Sequence, residues 1–367
     1  MNNSANIVKT PNFVQILCLR RFMKGRIAIL IITIVCMLSC TGDRYIKIEG
    51  YAQGGVYTVT FNTKGISRSP VEIRDSIESI LHRIDMTLSG YNKNSVLSRF
   101  NAGETVKVED MFADIYSHAH TVYEVTDGAV DVSFSPLYDM WGFGFKSGSL
   151  PTSRQVDSVM NICGMYRLRR SMSDMVGSEI ASSEISLEGF SPQLNYNAIA
   201  QGYSCDLVAE YLYSLGVKDM MVNIGEIFCD GKNPSGAAWN IGIDRPEDGN
   251  DQPGAQLQGV FAVPEGPHGV VTSGNYRKFY VRDGKKYAHT IDPRTGCPVT
   301  HNLLSATVIA DNAMLADAFA TYCMVIGLEE AKAFIESRDD LEGCLVYDND
   351  GEFLTWCSEG IETRKVD

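Results

Sequence analysis

The segment MLADAFATY places a carboxylate and a hydroxyl four residues apart, at Asp317 and Thr321. If the segment is helical, residues i and i+4 project from one face, so both oxygens would point to the same place. Hard oxygen ligands suit Mg²⁺, which keeps several waters and commonly bridges substrate phosphates. The spacing alone also fits a solvated acid beside an incidental threonine, although alanines surround Asp317 and indicate a crowded helix.

A second feature is the run HTIDPRTGCPV, which begins at His289. Its prolines, Gly296 and opposite charges predict a rigid turn in which Asp292 pairs with Arg294. Such a turn could hold His289 near a reacting phosphate as a proton carrier. It could equally close a hairpin around a structural histidine.

Three more segments combine polar groups with turn or helix signals. In VTDGAVDVSFSPLYDMWGFG, Asp131 follows a helix, and the aromatic stretch could instead pack Trp141 and Phe143 into the core. NYNAIAQGYSCD opens a helix, whose free N–H groups favour an anion such as phosphate. VVTSGNYRKF offers the hydroxyls of Thr272 and Ser273 in a turn between two strand-like runs. Each of these patterns is also common in proteins without such a site.

The elements that must position these residues are strands and helices without a regular βαβ order. YIKIEG and GGVYTVTFNT alternate as half-buried strands do, and MMVNI, WNIGI, KFYV, LLSATVIA and GCLVYD are strand-like. Apolar spacing predicts helices near 71–84, 108–125, 198–215, 314–326 and 329–337. We therefore expect an α+β fold of two packed lobes with mixed or antiparallel sheets and a ligand cleft between them, near residues 190 to 220.

Composition excludes some classes of protein. The 367 residues are 44% apolar, as in a globular chain, and the net charge is −13. Nucleic acid is not an expected partner, because it would require a basic face. The seven cysteines after Cys40 include no CxxC pair, so neither a zinc site nor a disulfide framework is expected.

The N-terminal region predicts export. Met23-Lys24-Gly25-Arg26 precedes IAILIITIVCML, an apolar run too short to span a bilayer as a helix, and MLSC resembles the lipobox of bacterial lipoproteins. We expect a signal peptide over 1–39, with Met23 as an alternative start, a lipidated Cys40 with a linker over 40–48, and the functional domain over 49–367. The expected location is the cell envelope, with a lipid anchor in a bacterial membrane.

In order along the chain, these segments resemble the ApbE family of flavin transferases, which move FMN from FAD onto a Ser or Thr of a target protein. The resemblance covers nearly all of the mature chain and includes SGYNKNSVLSRFN, MVNIGEIFCDGKNP and WNIGIDRP. VVTSGNYRKF, HTIDPRTGCPV and ADAFAT are its most specific parts. Any one segment is weak evidence, but their shared order is strong.

The resemblance implies roles for particular residues. Asp317 and Thr321 match magnesium ligands, completed by the backbone carbonyl of Ala198. His289 matches the histidine beside the pyrophosphate, and either His289 or Asp292 would assist proton movement. The positions implied to bind FAD are Gln53, Tyr91, Ala129, Val130, Asp131, Asn195, Gln201, Thr272, Ser273 and His289.

This chain departs from the family's usual pattern at several of these positions. Gln53-Gly54-Gly55 replaces Met-Gly-Thr, Asn195 replaces Asp, Gln201 replaces Lys, and a usual double glycine is single at Gly225. Loss of a lysine removes a positive charge beside FAD, so weaker FAD binding or an altered rate is expected.

The implied activity is Mg²⁺-dependent transfer of FMN from FAD to a hydroxyl, with release of AMP. The implied acceptor is an exported or membrane-bound flavoprotein subunit. Two alternatives remain open: hydrolysis of FAD to FMN and AMP at the same site, and a flavin-binding lipoprotein without catalytic activity.

Overall fold

A computed structural model describes residues 44–104, 106–143, 150–166, 184–185, 193–247, 249–250, 252, 254–275, 279–282 and 285–364. Residues 45 to 367 form one compact unit. The helices are α1 (Pro70–Leu88), α2 (Val96–Asn101), α3 (Asp110–Val125), α4 (Ser135–Met140), α5 (Ser153–Met160), α6 (Ala200–Ser214), α7 (Ala313–Ile326) and α8 (Leu328–Glu336). The strands are β1 (Tyr45–Ala52), β2 (Gly55–Asn62), β3 (Val106–Lys107), β4 (Glu184–Ile185), β5 (Met220–Asn223), β6 (Ile227–Asp230), β7 (Asn240–Asp244), β8 (Leu257–Ala262), β9 (His268–Gly274), β10 (Phe279–Arg282), β11 (Lys285–Ala288), β12 (Ile291–Asp292), β13 (Cys297–Pro298), β14 (Leu303–Ala310), β15 (Glu342–Asn349), β16 (Glu352–Cys357) and β17 (Thr363–Arg364).

The predicted long helices are confirmed, and their ends have local causes. Ser69 and Glu72 form a capping box at the start of α1, and Pro70 occupies its first turn. The apolar positions that predict α1 are largely its buried face, including Ile73 and Ile77. After α3, Asp127 and Gly128 both have positive φ. The turn predicted at this pair is therefore confirmed.

The central sheet has eight strands in the order β1-β2-β5-β6-β9-β14-β15-β16. Every ladder in it is antiparallel. The registers bring the β1–β2 turn, the β5–β6 turn, the last residues of β9 and the first of β14 to one end of the sheet, which we call the site end.

Helices cover one face of this sheet, and a small sheet covers part of the other. Adjacent residues of one strand show the division: Val308 packs with α7 and α8, whereas Ile309 packs with β7 and β8. Helices α1, α3 and α6 bury the helix-side residues of β1, β2 and β5. The three-stranded sheet β17-β8-β7 lies on the opposite face. The α+β class with antiparallel sheets is therefore confirmed.

The structure also corrects several expectations. Thr272 and Ser273 are in β9 and not in a turn, because β9 continues pairing with β14 as far as Gly274. Cys344 and Cys357 form a disulfide, which the cysteine spacing did not predict, because pairing of β15 with β16 places them directly opposite each other. Short elements such as β6, β12 and α4 were also missed.

The structure tests only part of the N-terminal predictions. Strand β1 begins at Tyr45, inside the stretch expected to be a linker, because it pairs with β2 along its whole length. The expected signal peptide and Cys40 lie outside the described residues. Within the described part of the chain, no helix has both the length and the apolar character required to span a membrane.

Candidate active site

The start of α7 is held tightly against two neighbouring elements. The carboxylate of Asp206, in α6, accepts the first two N–H groups of α7 at 2.8 and 2.9 Å, and Asn312 caps the helix. A side chain at Gly202 of α6 or Gly269 of β9 would overlap the backbone of Ala313. These two glycines therefore allow α7 to approach both elements closely, which sets the position of every residue that follows.

Asp317, one turn into α7, has a buried carboxylate with few partners. Its Oδ2 accepts a hydrogen bond of 3.2 Å from the N–H of Gly202, and Asp317 as a whole is 4% exposed. Burial raises the pKa of Asp317 to about 7, the Gly202 N–H opposes this shift, and the nearby Asp206 carboxylate adds to it. No basic side chain pairs with Asp317 in the part of the chain that the structure describes, so an ionised carboxylate there would need a cation from outside.

Thr321 lies one turn further along α7, and its Oγ1 is 3.4 Å from the Ser273 Oγ of β9. The prediction that Asp317 and Thr321 share a helix is thus confirmed. Thr321 and Ala198 line the same small cavity, of about 30 Å³. The cavity is also lined by the predicted residues Ala129, Val130, Asp131 and Asn195, and by Val132, Ser135, Tyr138, Asn197, Ile291, Pro293 and Val325.

Thr321 and Ala198 line this cavity, whereas Asp317, one helical turn before Thr321, is not among its lining residues. The predicted ligands would be a buried carboxylate without a described counterion, a hydroxyl and a backbone carbonyl, all of them oxygens of the kind that a hard cation such as Mg²⁺ prefers. Among the described residues, no three His, Cys, Asp or Glu side chains are grouped as a metal site. The predicted set does not depend on such a group, because only one of its three ligands, Asp317, is a carboxylate.

Two of the predicted FAD-binding residues have polar atoms that are already occupied within the protein. The Asp131 carboxylate accepts hydrogen bonds from the N–H and hydroxyl of Ser133 and from the N–H of Met165. Burial nevertheless raises the pKa of Asp131, against the effect of these hydrogen bonds. Asn195 accepts the N–H of Asn197 through Oδ1. Both side chains therefore shape the cavity wall.

The run from His289 to Val299 is a hairpin in which β12 pairs with β13. Asp292 binds Arg294 through both carboxylate oxygens, at 2.9 and 3.0 Å, so the predicted pair is confirmed. The carbonyl of Asp292 also accepts the N–H of Gly296 at 2.8 Å. His289 lies beside Phe143 with its ring edge-on, 6.4 Å between centroids. Arg294 therefore occupies both oxygens of the Asp292 carboxylate.

Gln53 and Gln201 each connect the first turns of α6 to a strand turn at the site end. Gln53 lies in the β1–β2 turn with a φ of 51° and donates to the Ser204 hydroxyl at 2.5 Å. Gln201 donates to the Ile224 carbonyl at 3.1 Å, and its amide fills the space where a side chain at Gly225 would lie. Two departures from the family pattern, Gln201 and the single Gly225, are therefore in direct contact.

The predicted site residue Thr272 pairs its hydroxyl with that of Thr307 at 2.8 Å and lines neither cavity. Tyr91 is a second predicted site residue that these contacts do not include. It lies in the turn after α1, is 71% exposed, and lines neither of the two cavities.

A larger cleft, of about 470 Å³, lies on the other side of the hairpin. Asp292 lines this cleft, whereas its neighbours Ile291 and Pro293 line the small cavity beside Thr321. The hairpin therefore forms a wall shared by the two spaces. Trp141 fixes part of the hairpin by donating its indole N–H to the Gly296 carbonyl at 2.8 Å.

Sequence reasoning missed several residues that shape the site. Ser135 and Tyr138 of α4 line the small cavity, and burial raises the pKa of the Tyr138 phenol, which keeps it protonated. Both are present in SPLYDMW, where nothing in their spacing distinguishes them from core residues. Asp206 anchors α7, and no local signal predicts this, because its partners are more than 100 positions away.

Fold and site together define an α+β protein with a small cavity, lined by apolar and polar residues, beside the helix that carries Asp317 and Thr321. The sequence model of the ApbE family matches residues 53–345. The FAD:protein FMN transferase of Escherichia coli K12 is 31% identical over 328 residues, 87% of this chain and 89% of that protein. The chain belongs to the ApbE family.

Solved structures agree with this membership. The flavin transferase ApbE from Vibrio cholerae superposes with a TM-score of 0.71 at 29% identity, covering 87% of this chain and 98% of that one. The apo form of the Pseudomonas stutzeri flavinyl transferase ApbE gives a TM-score of 0.72 at 30% identity, covering 86% and 95%.

Proposed function

We propose that this protein is a flavin transferase that moves FMN from FAD to a Ser or Thr hydroxyl of an acceptor protein, depends on Mg²⁺ and releases AMP. The observation that carries the proposal is the buried Asp317 carboxylate, with Thr321 one helical turn further on, in a chain of the ApbE family. Relatives named FAD:protein FMN transferase support the same reaction.

Asp317, Thr321 and the Ala198 carbonyl would hold the metal. When bound, Mg²⁺ polarises phosphate oxygens and neutralises charge on the departing AMP. The chain's own contribution is to keep these ligands in place. Gly202 donates to Asp317, Ser273 contacts Thr321, and Asp206 anchors the helix that carries both ligands.

In the proposed reaction, the acceptor hydroxyl oxygen bonds to the FMN-side phosphorus of FAD. The bond from that phosphorus to the bridging oxygen breaks, and AMP leaves with the bridging oxygen. The hydroxyl proton passes to a base on the enzyme. His289 is the proposed base, because imidazole in general titrates near neutral pH and because the Asp292 carboxylate is bound to Arg294.

The proposed location is the cell envelope, with a lipid on Cys40. The apolar run before MLSC supports export. The Cys344–Cys357 disulfide also supports it, because such bonds persist mainly in oxidising compartments.

The function is tested by incubating the purified protein with FAD, MgCl₂ and an exported flavoprotein subunit prepared without flavin. Transfer predicts that the acceptor gains the mass of one FMN and that AMP appears in equal amount. Asp317→Ala should lose turnover, whereas the matched variant of an exposed acid, Asp339→Ala, should retain it. AMP with free FMN would instead establish hydrolysis, and flavin binding without turnover would refute an enzymatic role.

The location is tested by labelling cells with radioactive palmitate. Label should enter the protein and be lost in Cys40→Ser but retained in Cys36→Ser. Equal labelling of the two variants would refute lipidation at Cys40.

A further inference from the structure

The end of the central sheet opposite the site end is rich in basic side chains, in a chain whose net charge is −13. It comprises the first residues of β1 and β5, the last residues of β2 and β6, and the loops beside them. These loops carry the exposed cations Arg44, Lys64, Arg68, Lys218 and Lys232. We call this group the basic end.

Hydrogen bonds between the loops hold the basic end together. Asp219, next to Lys218, accepts the side-chain amide of Asn62 at 3.0 Å and the N–H of Lys232 at 2.9 Å. Tyr45, the first residue of β1, donates its hydroxyl to the Lys232 carbonyl at 2.7 Å. Because Lys232 takes part through its backbone, a change of its side chain leaves these bonds in place.

Acidic side chains beside these cations accept hydrogen bonds from within the protein. Both carboxylate oxygens of Asp219 and of Asp230 do so, and Glu72 completes the capping box of α1. The strands on the other side of β9 are followed by exposed acids, Asp311 after β14 and Glu359 after β16. The exposed cations are therefore grouped on the half of this end that β1, β2, β5 and β6 form.

The basic end is also where the chain arrives from Cys40. Tyr45 is five positions after this cysteine of the predicted lipobox. Five residues span at most about 18 Å when fully extended, so a lipid on Cys40 would bring the start of β1 close to the membrane. Gln53, in the turn after β1, lies about 24 Å further on, at about 3.4 Å per residue of this eight-residue strand.

We propose that the basic end rests on anionic phospholipid headgroups of the membrane that holds the lipid on Cys40, so that the site end faces away from the bilayer. Lysine and arginine side chains close to a membrane anchor are attracted to such headgroups, over about one Debye length. This inference rests on the proposed lipid anchor and adds an orientation to it. That orientation favours acceptor hydroxyls in parts of a subunit that project from the bilayer.

Fluorescence quenching tests this orientation with the full lipidated protein in vesicles. Cys297, in the β12–β13 hairpin, is exposed and can carry a bimane label, whereas the other described free cysteines are buried. In a second protein, Cys297→Ser with Ser67→Cys moves the label to an exposed position between Lys64 and Arg68. Nitroxide-headgroup lipid in vesicles that contain phosphatidylglycerol should quench the label at position 67 several-fold more than the label at Cys297. Equal quenching of the two labels, or stronger quenching at Cys297, would overturn the proposal.

The role of charge is tested in the protein labelled at position 67. Lys218→Glu with Lys232→Glu should remove most of the quenching. The matched control, Lys93→Glu with Lys107→Glu, makes the same change of charge at exposed positions outside the basic end and should keep it. Raising NaCl from about 0.1 M to about 1 M shortens the Debye length from about 10 Å to about 3 Å and should also reduce the quenching.

Vesicles of phosphatidylcholine alone separate the two parts of the proposal. They should retain the lipidated protein but quench the label at position 67 more weakly than anionic vesicles do. Quenching that is insensitive to lipid charge, to salt and to the two lysine reversals would show that the basic end does not bind anionic headgroups. A protein that carries no palmitate and is not retained on either kind of vesicle would show that the lipid anchor itself has failed.

Discussion

Replacing Asp317 by Asn should stabilise the metal-free protein while removing its activity. The carboxylate is buried and has no described cation beside it, so its charge is poorly compensated in the folded state. Asparagine has nearly the same shape and can still accept the N–H of Gly202. The substitution therefore removes an uncompensated charge at little cost in packing.

The size of the effect follows from the pKa of Asp317. Burial raises this pKa from 3.8 to about 7 on folding. Between these values the folded protein binds a proton that the unfolded chain has lost, so the free energy of unfolding falls as pH rises from about 4 to about 7. A shift of this size corresponds to on the order of 4 kcal/mol above pH 7, at 1.36 kcal/mol per pKa unit. Asp317→Asn should abolish that loss.

Urea unfolding of metal-free wild-type and variant proteins between about pH 4 and pH 8 would measure the difference. We expect the variant to be more stable at the upper end, with the difference shrinking toward acid pH. Mg²⁺ should raise the melting temperature of the wild type alone. Asp339→Asn, on an exposed acid, should behave as wild type. A variant that is less stable at pH 8, or that still responds to Mg²⁺, would refute the assignment of Asp317.

Three further outcomes are expected. Gly202→Ala should destabilise the protein by about 1–3 kcal/mol and lower transfer, because its methyl overlaps the start of α7; normal melting and transfer would contradict the close approach. Gln201→Lys should tighten FAD binding, measured by flavin fluorescence, because it restores a cation at the site end; weaker binding would indicate that the Gln201 amide is required at the β5–β6 turn. Serine at both Cys344 and Cys357 should cost about 3 kcal/mol of stability without changing FAD affinity, and an unchanged denaturation midpoint would show that the disulfide adds no stability.

The sequence by itself determines much of the local structure. The apolar spacing in α1, its Ser69 cap and the Asp127-Gly128 turn depend on neighbouring residues, so all three can be predicted from short windows. The same holds for the Asp292–Arg294 pair. Asp317 and Thr321 are four positions apart, and a helix of any packing would place them on one face. The ordered series of motifs likewise indicates the family before any contact is known.

Only the tertiary structure decides which of these side chains have polar atoms that are not already used by hydrogen bonds within the protein. Asp131 and Asp317 are both site candidates in the sequence, the first for FAD and the second for the metal, yet Ser133 and Met165 occupy the first, and a single backbone N–H reaches the second. The two cavities on either side of the hairpin likewise become visible only when α4, β12 and α7 have packed together. The physical reason is that desolvation and hydrogen-bond partners come from distant parts of the chain, and both are fixed when the core forms.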